Sequence, residues 1–135
     1  MAKLRHLAIM TVDPEKLAKF YTEVFGMEVI NRSETGGVFL SDGYFNIALL
    51  LNRGGQTPSG LYHFGFQVDD AKETLRRIEK AGIRPPRERP GHISYAELRS
   101  HDPDGNLFDI SENGYLDVRP ERRQPTEEEI EFGVS

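Results

Sequence analysis

Two stretches of the chain, HLAIMTVDPEKLAKFYTEVFG (6–26) and HFGFQVDDAKETLRRIEKAG (63–82), follow one plan. Each opens with a histidine inside an apolar run, passes through aspartate into a helical pattern, and stops at a glycine. In the first, LRHLAIM reads as a buried strand. Asp13 then stands at an N-cap position with Pro14 at the first helical position. Leu17, Phe20, Tyr21 and Val24 have the spacing of one buried helix face, closed by Gly26. In the second, LYHFGFQV is the strand, and Asp70 with Glu73 resembles a capping box. Thr74, Leu75, Ile78 and Ala81 form the stripe before Gly82.

Three strands are expected after each helix. In the first half they fall at about 27–33, 37–41 and 44–51, with ETGG and SDGY as turns. In the second half they fall at about 84–89, 93–100 and 106–112, with RPPRERPG and DPDGN as breakers. The prolines make 84–89 a short edge strand. The chain is thus an α+β fold of two βαβββ modules, about 3–51 and 61–115, joined by a linker at 52–60. A half of about 55 residues is marginal alone, so the modules are expected to pack as a single domain, 1–115. The segment 116–135 is a polar C-terminal tail, for which disorder is the plain expectation. Thr126 and the glutamates after it also suit a helix start.

Composition narrows the function. The net charge of -5 in 135 residues leaves no cationic footprint for nucleic acid. There is no cysteine, so any metal must take nitrogen and oxygen ligands. No run reaches membrane-spanning length and no signal-peptide core is present, so a cytoplasmic protein is the default expectation.

Strand alternation then sorts the side chains. If Leu7 and Ile9 meet a helix, His6, Ala8 and Met10 lie opposite. By the same rule Phe64, Phe66, Phe108 and Ile110 pack, and His63, Gln67 and Asp109 lie opposite, with Asn46, Tyr95, Glu97 and Arg99. So polar a face reads as a cavity wall. A lone strand histidine is usually structural. Two at matched positions of a repeat, joined by a last-strand carboxylate, instead suit a two-imidazole, one-carboxylate site for a divalent first-row metal. Glu97 and Arg99 read equally as a mutually satisfied ion pair or as a general base and an anchor for a substrate anion. Tyr95, Asn46 and Gln67 are further candidate substrate contacts. His92 and His101 read as exposed loop residues.

The paired modules, RHLAIM, YHFGFQV and above all DPDGNLFDI resemble the vicinal oxygen chelate superfamily over residues 3 to about 115. It includes glyoxalase I, methylmalonyl-CoA epimerase, extradiol dioxygenases, fosfomycin-resistance enzymes and bleomycin-resistance proteins. The resemblance implies an eight-stranded mixed sheet curled into a cup, helices on its convex face, and a metal inside. His6 and His63 match the family's first-strand ligands, and Asp109, directly after DPDGNLF, takes the place of its usual glutamate. Alternation argues against Glu112 as a substitute. The fourth strand offers only Asn46 and Ala48 where glyoxalase I and the epimerase have Glu or Gln, which implies three ligands. The implied function is a metal-dependent isomerase, lyase or dioxygenase acting on a small substrate that chelates the metal through adjacent oxygens. The metal would be Fe, Mn, Zn, Ni or Co. The alternative is a metal-free or non-catalytic ligand-binding protein of the bleomycin-resistance type. A homodimer is expected, and metal binding is expected to weaken below about pH 6 as imidazole protonates.

Overall fold

The structure is a computed structural model that describes residues 2–55, 58–85, 87–88 and 98–112. The elements run β1 (Lys3–Thr11), α1 (Pro14–Phe25), β2 (Glu28–Arg32), β3 (Val38–Ser41), β4 (Asn46–Leu51), β5 (Gly60–Gln67), α2 (Ala71–Lys80), β6 (Arg87–Glu88), β7 (Leu98–His101) and β8 (Leu107–Ser111). All eight strands join one mixed sheet in the order β2-β3-β4-β1-β5-β8-β7-β6. The repeat is visible in the pairing: β1 runs parallel to β4 and β5 parallel to β8, while β1 and β5 meet antiparallel at the centre.

The helix signals behave as their chemistry requires. Asp13 caps α1, its Oδ1 accepting from the Lys16 N–H at 3.1 Å, and Gly26 ends the helix in the left-handed region at φ 73°. Asp70 caps α2 by accepting from the Glu73 N–H at 3.2 Å. The box is only half formed, because the Glu73 carboxylate turns to Arg76. Glu112 supplies another cap: its Oε2 accepts from the Ala71 N–H at 2.7 Å. Helix capping thus engages Glu112.

One face of the first module buries Val38, Leu40 and Leu49 with Ala18, and Ile9, Leu17, Tyr21 and Ile47 pack around them. The expected α1 stripe is rotated. Leu17 and Tyr21 lie on the core side around Ala18, but Phe20 and Val24 are 51% and 56% exposed. The small Ala18 is the α1 residue at the centre of this core, and Phe20 makes ring contacts with Tyr21 and Phe25 outside it. On the α2 stripe Thr74, Leu75 and Ile78 are half-buried, while Ala81 is the exposed C-cap. The opposite sheet face carries a second apolar cluster, Ala8, Ile30, Phe39, Ala48 and Leu50, flanked by Met10 and Tyr62. That face is therefore apolar where this cluster lies, toward β2, and polar along the row that runs from Asn46 through His6 toward β7.

Edge strand β6 is two residues long, as its flanking prolines suggested. Strand β7 begins at Leu98 among the described residues; Tyr95 and Glu97 lie outside them, as do His92 and the tail. The helices of the described residues are all too short or too polar to cross a membrane.

Candidate metal centre

One row of residues crosses the sheet. Asn46 pairs with His6, His6 with Gly65, Gly65 with Asp109, and Asp109 with Arg99. Residues in register point to the same face, so this row projects two potential ligands, His6 and Asp109, on either side of Gly65. With no side chain at 65, the space between them stays open. His63 enters that space from the next same-face position along β5. Both histidines are the fourth residue of their strand, and antiparallel pairing about the centre brings their ring centroids to 5.4 Å.

His6, His63 and Asp109 are all buried, and one ligand atom of each lies within 4.8 Å of the others. Pairing β1 with β4 as β5 pairs with β8 makes Ala48 the counterpart of Asp109. The first module therefore offers no carboxylate to match the second, and Asn46 lies buried beside His6.

The electrostatics favour ligation. His63 is 1% exposed, and neither ring nitrogen makes a hydrogen bond of good geometry, although Nε2 approaches Asp109 Oδ2 to 3.2 Å. Buried polar atoms are rarely left so. Burial, then the neighbouring His63, lowers the pKa of His6 to about 3, so its ring is neutral and can donate a lone pair. Burial opposes ionisation of Asp109, but His63 and the Arg99 guanidinium outweigh it and hold the carboxyl well below the usual carboxylate range. Two imidazoles and one carboxylate are the donor set of a divalent first-row ion. An ion with bonds of about 2.1 Å spans donors up to about 4.2 Å apart, so the set closes with under about 1 Å of side-chain rotation. The residues present fit such an ion. This burial displaces proton competition at His6 well below the range of a free imidazole.

The structure brings Arg99 to Asp109 itself. Its Nε donates to Oδ1 at 2.7 Å and its Nη2 to Oδ2 at 3.3 Å, with the Arg99 side chain 18% exposed. Gln67 is not brought to the centre. It lies four residues along β5 from His63, roughly 13 Å of strand, and its Oε1 accepts from Arg5 Nη1. Arg5 stands at an irregularity in the β1–β5 register, stacks on the Tyr44 ring at 4.0 Å, and lines a separate cleft with Lys3, Gln67 and Asp69.

Two further residues face the centre's surroundings. A cleft of about 430 Å³ adjoins it, lined in part by Tyr62, Arg99 and His101. Tyr62 should share the face of Phe64 by alternation. A register shift between Ala8 and Ile9 on the partner strand leaves it unmatched, and its ring lies 4.8 Å from that of His63. No sequence signal marks that shift. His101 is the half-buried last residue of β7, two positions from Arg99 on the same face, and not an exposed loop residue. Extending the Glu97, Arg99 alternation by one step would have found it.

The family model of the Glyoxalase/Bleomycin resistance protein/Dioxygenase superfamily matches residues 3–110. The chain belongs to this superfamily. It is 32% identical over 115 residues to a probable trivalent organoarsenical cleaving enzyme of Bacillus subtilis (strain 168), covering 80% of this chain and 78% of that protein. It is 29% identical over 127 residues to a probable chloroplastic lactoylglutathione lyase of Arabidopsis thaliana, covering 83% of this chain but only 36% of the plant protein. Among solved structures, a methylmalonyl-CoA epimerase in complex with methylmalonyl-CoA and NH4+ superposes with a TM-score of 0.59 at 20% identity, over 82% of this chain and 93% of that one. That likeness shows the fold; relatives in the superfamily are enzymes of lyase, epimerase and dioxygenase type.

Proposed function

We propose that this chain is a divalent-metal-dependent enzyme acting on a small substrate that presents two adjacent oxygens, by isomerase, lyase or dioxygenase chemistry. The observation that supports the reading is His63, a buried imidazole without a well-formed hydrogen bond, placed between a second imidazole and an ionised carboxylate. His6, His63 and Asp109 would hold one Fe, Mn, Zn, Ni or Co ion. When bound, such an ion supplies Lewis acidity to the substrate oxygens. Arg99 orients Asp109 and keeps it ionised; its guanidinium has five N–H donors, and those left over can meet a substrate oxyanion. Glu97, two residues earlier, is proposed as the base that takes a proton from substrate carbon, with Tyr95 and Asn46 as substrate contacts.

The Bacillus relative is named for a trivalent arsenical. A soft centre of that kind favours thiolate ligands, and this chain has no cysteine, which favours a hard, oxygen-bearing substrate instead. A metal-free binding protein is the alternative. Elemental analysis separates the two: wild type is expected to carry about one divalent ion per chain, His63→Ala none, and Glu97→Gln a full complement with lowered kcat. Equal metal in wild type and His63→Ala would overturn the site.

A homodimer is proposed as well. The sheet ends on β2 and β6, and such edges are normally covered or paired. Light scattering should report a dimer for the full chain and a weaker one after truncation beyond Asn113. A full-length monomer ends the dimer reading, and an unchanged dimer removes the tail from it.

A further inference from the structure

The described residues lining the cleft beside the metal donors include two arginines, in a chain whose net charge is -5. Arg84 and Arg99 line it together with His101 and Tyr62, and no carboxylate is among these described lining residues. Arg84 leaves the C-terminal end of α2 and makes no ion pair among the described residues. His101 Nδ1 lies 2.7 Å from the Asp102 carbonyl oxygen. A carbonyl only accepts, so Nδ1 carries the hydrogen and Nε2 is the atom left for a ligand.

We infer that this cleft receives an oxyanion arm of the substrate, a carboxylate, phosphate or phosphonate group, while the substrate's chelating oxygens meet His6, His63 and Asp109. Which end reacts rests on the metal reading; binding of the arm does not. Guanidinium groups recognise such oxygens through paired N–H donors. Arg99 links the two halves of the site, because it grips Asp109 and also faces the cleft. Arg84 and His101 then select for the arm, the latter through its Nε2. A neutral substrate of equal size leaves these donors without partners and is discriminated against.

The test uses the full chain, stripped of metal by chelator, at low ionic strength. Inorganic phosphate and, separately, acetate are titrated and followed by 1H–15N NMR. Saturable binding is expected, with shifts at Arg99 and His101 and affinity that falls as salt rises. Arg84→Gln and His101→Gln are each expected to weaken it by about threefold or more, and Arg84→Glu to weaken it further, with dispersed spectra throughout. The tighter of the two anions names the arm as tetrahedral or planar. Absence of saturable binding overturns the inference. So does equal binding by all variants, or a response centred on the Lys3 and Arg5 cleft. A wild-type protein that binds phosphate here yet holds no metal in elemental analysis fails only the metal reading.

Discussion

Asp109→Asn is expected to cost at least about 100-fold in divalent-metal affinity and, independently, about 2–3 kcal/mol of stability in the metal-free protein. The side chain is isosteric, so the two effects come from charge. Asp109 is fully buried and accepts two N–H bonds from Arg99, with His63 at its other side. An amide keeps one acceptor, turns its NH2 donors toward other donors, and leaves the guanidinium without a counter-ion. Because Arg99 retains some contact with water, the cost stays at the lower end of that for breaking a buried pair. Isothermal metal titration measures the first effect and urea unfolding with chelator present the second. If Asp109→Asn binds metal as wild type does, the carboxylate is not a ligand. If its urea midpoint is unchanged, the Arg99 pair contributes nothing to the fold.

The double role of Asp109 shows where a sequence alone stops. The internal repeat carried the fold: two histidines at matched strand positions implied a pseudo-twofold, and the antiparallel β1–β5 pairing sets their rings together. Alternation ordered β1 and β4 well, because they pair with each other in unbroken register and are flanked by a helix that fixes which face is buried. It failed where a strand departs from period two. The irregularity facing Tyr62 depends on how β1 and β5 mesh, a property of the pair that neither strand encodes alone. It failed also with distance. Gln67 has the parity of His63 but lies too far along β5 to share its cavity, and Arg5 takes it up.

The Arg99–Asp109 contact illustrates another limit. Reading β7 by itself pairs Arg99 with Glu97, its neighbour on the same face. In the sheet, the residue opposite Arg99 is Asp109, across the β7–β8 ladder. Cross-strand register decides which charges meet, and register follows from the DPDGN turn between these strands, where Asp102 accepts from the N–H groups of Asp104 and Asn106. The turn was legible as a motif; its consequence for charge pairing was not.

Acid should unfold the metal-free protein in two adjoining stages. His6 titrates at 6.5 in an unfolded chain and at about 3 when folded, so between those values the unfolded state binds a proton that the native state refuses. Stability therefore falls as pH drops below about 6.5, and the loss at His6 is nearly complete at pH 3, on the order of 5 kcal/mol in total. Asp109 acts in the same direction over a lower window. Its folded pKa is depressed, so its contribution is present above the ordinary carboxylate pKa of 3.8 and is lost as pH falls below it. Urea unfolding from pH 8 to pH 4 checks the first stage. His6→Gln, which cannot titrate, is expected to flatten the slope between pH 6.5 and 4 and leave the steeper loss below. A divalent ion bound through His6 binds the native chain and not the unfolded one, so saturating metal should raise stability at pH 7. A wild-type curve level from pH 7 to 4 would mean that His6 accepts its proton in the folded protein, with a ring more hydrated than its burial implies.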